Sequence, residues 1–144
     1  MANNITYSYD IPYQATGSMN YIFVKYHHQK ILLSKSVWTI SQSAELKMFV
    51  DSISLKYFDS NYESSYNIIF NNNCLQMIGE SPNNDPLFIG KFISKDKAIN
   101  WHGYPANHIK NRQDIPPDSI LTSWKNAGLS TRDIKRIKKG KPIK

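Results

Sequence analysis

Four histidines, His27, His28, His102 and His108, are the side chains of this 144-residue chain whose ordinary pKa lies closest to neutrality. Together with Tyr104 and a lysine-rich end they pose the first chemical question. A metal-independent ribonuclease needs a base for the 2′-hydroxyl, an acid for the leaving oxygen and a cation for the phosphate. His102, Tyr104, His27 or His28, and the tail lysines are the types that can fill those roles. The competing reading of Trp101, His102, Tyr104 and Pro105 is a structural corner, where rings pack and polar edges tie down a loop. Metal binding has a poor signature. His27 and His28 are adjacent on an expected strand end and point to opposite faces, and His102 and His108 are six apart with no nearby cysteine or acid. No phosphate-binding glycine loop, nucleophile elbow or HExxH pair is present. The expectation is therefore no cofactor, no metal, and enzymatic activity only as an alternative.

Charge points elsewhere. From Arg132 to Lys144 stand seven basic residues and one acid, Asp133, so +6 of the net +7 falls in the last 13 residues and the rest of the chain is nearly neutral. Such segregation suits a localised anionic partner, nucleic acid or an acidic protein surface, or else a solvated tail that keeps a near-neutral body soluble.

Two helices are predicted before and within that basic end. Pro116 and Pro117 suit a first helical turn, Ile120, Leu121, Trp124 and Ala127 recur at helical spacing, and Gly128 is placed to stop the helix. Ser130 then caps a second helix, with Asp133 as the acidic half of a capping box, and Gly140 and Pro142 close it. With the turn Gly128, Leu129, Ser130, and with Ile134 and Ile137 at buried positions, the pair resembles the helix-turn-helix of phage-repressor-type proteins. Trp124 departs from that pattern, standing where the motif takes a small residue that lets the helices approach closely. The resemblance implies that Thr131, Arg132, Lys135 and Arg136 face outward toward base edges and phosphates. Lys138, Lys139 and Lys141 extend the basic surface, and together these seven residues are the expected nucleic-acid contacts.

The body that must position them reads as strands and one helix. Ile5 to Ile11 alternates with polar residues up to Pro12, Tyr21 to His27 is rich in aromatic and β-branched residues, and Ile31 to Ile40 is read as the third strand. Ser43 is the expected cap of a helix with an apolar stripe of Leu46, Phe49, Val50, Ile53 and Tyr57. Tyr66 to Phe70 and Cys74 to Ile78 flank an asparagine turn at Asn71 to Asn73. Leu87 to Ile93 and Ala98 to His102 flank a turn at Lys95 and Asp96. The single cysteine, Cys74, excludes an intramolecular disulfide and is read as a small buried hydrophobe.

These elements predict an α+β fold: an antiparallel meander with one packed helix and a C-terminal helical pair. One domain is expected over 1–144, with a β-rich body at 1–112 and the helical pair and basic tail at 113–144. The tail from 141 on carries charge without apolar periodicity and is expected to be an adjunct to the fold. No run approaches the roughly 20 apolar residues of a membrane span, so a cytoplasmic protein without a membrane partner is expected. The functional expectation is a non-enzymatic nucleic-acid-binding protein acting through the basic C-terminal segment. The alternatives are a protein-interaction module such as an inhibitor or immunity protein, for which the nine tyrosines among asparagines and serines are suited, and the metal-independent ribonuclease.

Overall fold

The computed structural model describes residues 6–71, 74–96 and 99–143. Its central sheet has five strands in the order β1 (Pro12–Thr16), β2 (Met19–Ile22), β10 (Asn100–Ala106), β9 (Ile89–Ser94) and β4 (Ser64–Asn67). Three helices accompany it: α1 (Gln42–Ser54), α2 (Asp118–Asn126) and α3 (Thr131–Lys138). The fold is α+β, as expected. Most neighbours pair antiparallel, but β2 and β10 run parallel, so the chain crosses over rather than simply meandering. Short strands β3 (Val37–Trp38), β7 (Gly79–Glu80) and β8 (Pro86–Leu87) form a second sheet, and β5 (Phe70–Asn71) pairs with β6 (Cys74–Leu75).

Strand pairing sorts side chains by face, because residues opposite one another across a sheet share a side. On one face stand Trp101 and the row Gly103, Phe92, Ser65. This face carries α1: Phe49 lies 5.5 Å from the rings of both Phe92 and Trp101, Ser52 Oγ meets Ser65 Oγ at 2.9 Å, and Asn67 donates to the Met48 carbonyl. A side chain at Gly103 would collide with the Phe92 ring, its Cβ falling 2.4 Å from the nearest ring carbon, so glycine is what lets strand and core ring approach. On the other face Ala106, Ile89 and Tyr66 join Ile120, Leu121, Trp124, Leu129, Ile134 and Ile137 in a second core beneath the helical pair.

Several local expectations need correction. The cap of α1 is Ser41, whose hydroxyl accepts from the Ala44 N–H, two residues earlier than Ser43. Its buried face runs through Glu45, Met48, Phe49 and Ser52, and Leu46, Val50 and Ile53 are only partly buried, because polar Glu45 and Ser52 have partners inside. Ile5 lies outside the described residues. Tyr9 makes a single bridge to Phe23, and the first strand begins at Pro12, where that edge position tolerates a missing N–H. The Tyr21 strand stops at Ile22, and a 3₁₀ turn follows at Lys25–His27. Only Val37 and Trp38 of the expected Ile31 to Ile40 strand are extended and paired; Ile31, Leu32 and Leu33 are exposed in a loop. Asn72, Asn73 and Ala98 fall outside the described residues, and Asn71, expected in the turn, belongs to β5 and pairs with Cys74 of β6. Cys74 is exposed, since strand alternation buries its neighbour Leu75 instead.

Helix signals at the C-terminus fare better. Pro117 precedes α2, Gly128 adopts φ of +121°, the Ser130 hydroxyl accepts from the Asp133 N–H, and Gly140 ends the last helix at φ of +66°. The following tail is docked rather than an adjunct. Ile143 is 2% exposed within the second core, and the Lys141 N–H donates to the Arg136 carbonyl.

Candidate functional site

Two places hold the residues singled out from sequence. The first is the outer face of α3. Ile134 and Ile137 are buried beneath it, and Thr131, Arg132, Lys135, Lys138, Lys139 and Lys141 are exposed, with Arg136 half-buried. The two guanidinium groups also fold back over the tail: Arg136 Nη1 donates to the Pro142 carbonyl at 3.1 Å, and Arg132 Nη1 lies 3.4 Å from Asp133 and 3.5 Å from the Ile143 carbonyl. Lys138 Nζ is 3.4 Å from Asp118, a contact between exposed groups of little strength. A guanidinium has five N–H donors, so one contact to a carbonyl leaves most of the fork for a phosphate. Trp124 does not keep the helices from folding against the sheet; its indole packs edge-on to Tyr57 inside the second core.

The second place is a cleft at the open end of the sheet face that carries the helical pair. Tyr104, Lys91 and Tyr66 stand opposite one another on β10, β9 and β4, and the next row along is His102, Ile93 and Ser64. Over the first row sits Asp114, at the end of a 3₁₀ turn, Arg112–Asp114, leading into α2. Its carboxylate accepts from Tyr104 Oη at 2.8 Å and from the Asn107 N–H at 2.9 Å, and lies 3.4 Å from Lys91 Nζ. Lys91 also donates to the Gln113 carbonyl at 2.6 Å and lies 5.6 Å from the Tyr66 ring centre. Both charges of this pair are almost wholly buried, and the hydrogen bonds around them are what make that burial tolerable. Beyond this network a cleft of about 570 Å³ opens, with His102, His27, Tyr104 and Ile93 along its walls and Lys35, Lys95 and Lys110 about it.

The ionisation states follow from burial and neighbours. His27 is pushed down to about 4 by burial, with the nearby positive charge of Lys35 acting in the same direction; its Nδ1–H donates to the Ser36 carbonyl at 2.8 Å. His102 is lowered by burial and then by Lys95, and no protein group among the described residues hydrogen-bonds its ring. Burial, then Asp114, pushes the Tyr104 hydroxyl well above its ordinary range, and Tyr66 rises to about 12 for the same leading reason. At neutral pH the cleft thus presents neutral imidazoles and neutral phenols among exposed ammonium groups.

Of the residues expected for a ribonuclease, His27, His102 and Tyr104 do come together in this cleft. His28 does not. It lies on the other side of the sheet, where its Nε2 sits 2.7 Å from the fully buried Glu45, outside good hydrogen-bonding alignment, and Tyr21 Oη donates to the same carboxylate. Burial raises Glu45 above the usual carboxylate range. His108 is also apart, donating from Nε2 to the Lys141 carbonyl at 2.8 Å. Among the described residues, the tail lysines Lys138, Lys139 and Lys141 do not line the cleft. Cleavage needs a proton donor for the leaving oxygen. Burial shifts both cleft imidazoles toward the neutral form, and the Tyr104 hydroxyl already donates to Asp114.

Sequence reasoning missed Lys35, Lys95, Lys110, Lys91 and Asp114. One signal was available: Lys91 interrupts the inward alternation of Ile89 and Ile93, and a lysine in such a row needs a buried partner. Among the described residues no group of histidine, cysteine, aspartate and glutamate could hold a metal ion, and no helix is long and apolar enough to cross a membrane. No family model matches the chain, and no curated protein or solved structure matches it significantly.

Proposed function

We propose that the chain is a single-domain, cytoplasmic, non-enzymatic nucleic-acid-binding protein that lays α3 and its basic continuation against the phosphate backbone. The observation that carries this reading is the division of α3 into two faces: Ile134 and Ile137 anchor one in the core, and Thr131, Arg132, Lys135 and Lys138 occupy the exposed other. The single-domain part is supported by one sheet contributing to both cores. Docking of the tail supports the binding part as well, since it holds Lys139 and Lys141 close to the helix and reduces the entropy lost on binding.

The test is the salt dependence of binding to a mixed-sequence DNA and to an RNA. Each neutralised phosphate releases counterions, so changing Lys135 and Arg136 together to glutamine should lower the slope of log affinity against log salt by about two, with the fold intact. If neither polymer binds the parent protein at low salt, this reading is lost. An acidic protein surface is then the partner to seek. One observation favours that second reading: Ile31, Leu32 and Leu33 form a consecutive exposed apolar run, with Leu33 88% exposed.

A further inference from the structure

We propose that the cleft beside β10 is a separate binding site for one phosphate-bearing nucleotide unit, either a free mononucleotide or an unpaired unit of a strand. Neither its residues nor its location belong to the α3 face, so it stands or falls independently of the reading above.

Size is the first argument. At about 570 Å³ the cleft lies inside the roughly 300–1,000 Å³ range of small-ligand sites. Charge is the second. Lys35, Lys95 and Lys110 are all exposed around it, and the first two act electrostatically on His27 and His102, so positive potential extends to the imidazoles. Among the described residues the only acid on its walls, Asp114, is already held by Tyr104, the Asn107 N–H and Lys91. An entering phosphate therefore meets ammonium groups and no unengaged carboxylate.

Ring surface is the third argument. His27 and Tyr104 are stacked 5.5 Å apart at 21°, and Tyr26 lies 4.7 Å from His27 with Lys35 5.7 Å from its own ring centre. An aromatic wall beside cationic groups suits a nucleobase joined to a phosphate, because every base has a stackable face. His102 supplies a polar group that the protein itself leaves without a hydrogen-bond partner among the described residues. Its neutral ring can accept from a ligand hydroxyl or amine, or take up a proton and donate to phosphate.

Calorimetric titration of the full chain with adenosine 5′-monophosphate, adenosine and inorganic phosphate tests the assignment. The nucleotide should bind at least about tenfold more tightly than either half alone. Changing Lys95 and Lys110 together to glutamine should weaken it by about tenfold or more, the order expected for lost charge-assisted contacts. Both lysines are exposed, so the variant keeps its fold. The Lys135 and Arg136 double variant should bind the nucleotide like the parent. Nuclear magnetic resonance adds a readout at the site: His102 should titrate at higher pH with the nucleotide bound. Measured in the Lys135 and Arg136 double variant, a 5′-phosphorylated tetranucleotide that binds more tightly than the monomer, and loses that binding when Lys95 and Lys110 are also changed, assigns the site to a strand; the reverse order assigns it to a free nucleotide. No preference for the nucleotide over phosphate, or an affinity unchanged in the Lys95 and Lys110 variant, overturns the proposal.

Discussion

The two faces of the central sheet bury the same kinds of polar group under different layers. On the α1 side the core is aromatic, with Tyr21, Phe23, Trp38, Phe49, Phe92 and Trp101, and it encloses Glu45 together with Tyr21 and His28. On the other side the core is mostly aliphatic, and its acid, base and phenol, Asp114, Lys91 and Tyr104, stand at the margin where the helical pair ends and the cleft begins. An acid with a tyrosine and a nitrogen-base side chain beside it is thus not a functional mark in itself. Where the helix layer covers the whole group, its consequence is stability. Where the layer stops one row short, the same chemistry borders solvent and can meet a ligand.

The largest effects should come from breaking each core at its centre. Glu45→Ala leaves the buried Tyr21 hydroxyl without its acceptor and removes the carboxylate beside His28, and chemical denaturation should show a loss of about 3–5 kcal/mol. Trp124→Ala should cost a similar amount, about 3–5 kcal/mol, by opening a cavity beneath the helical pair. If one loss is large and the other near zero, the two cores do not share the stability of the fold.

Next in size is the anchor of the tail. Ile143→Ala should cost about 2–5 kcal/mol if the 2% exposed side chain is core, and a cost near zero in the same denaturation measurement would mean an undocked tail. Acid should then separate the two sides. His27 is held at about 4 against an ordinary 6.5, so the unfolded chain binds its proton first and stability falls as pH drops from 6.5 toward 4. Replacing His27 with glutamine should flatten that decline by on the order of 1–3 kcal/mol across the window. Glu45 is shifted upward, so its contribution has the opposite sign: stability is present below the ordinary carboxylate value and is lost as pH rises toward the folded one. The smallest effect is at the caps. Ser41→Ala and Ser130→Ala should each lower stability by about 1 kcal/mol, one on each side of the sheet.

Legibility from sequence divides along similar lines. The helical pair was readable because its signals are local: prolines at the start, Gly128, the Ser130 cap, and the isoleucine spacing. Strands were harder, since apolar character does not reveal a partner. Ile31 to Leu33 read as a strand and is an exposed loop. Trp101, His102, Tyr104 and Pro105, for which a structural corner was the competing reading, all lie within β10. Pro105 is accommodated there because pairing with β2 ends at His102, leaving that edge of β10 without a strand neighbour to receive a donor. Of the cleft, His27, His102 and Tyr104 were visible as types. Their convergence was not, because it depends on a parallel pairing between segments some 80 residues apart.

The chain has three tryptophans, and their placement gives the molecule a built-in optical division. Trp38 and Trp101 report from the α1 side, and Trp124 alone reports from beneath the helical pair. Among the described residues the buried indole N–H of Trp124 has no hydrogen-bond partner, so phenylalanine can replace it without sacrificing a polar contact seen there. In that variant tryptophan fluorescence, excited selectively at wavelengths tyrosine does not absorb, follows one side of the sheet only, and circular dichroism follows the whole chain. Coincident melting curves then mean a single cooperative unit; displaced curves give the order in which the two layers come apart.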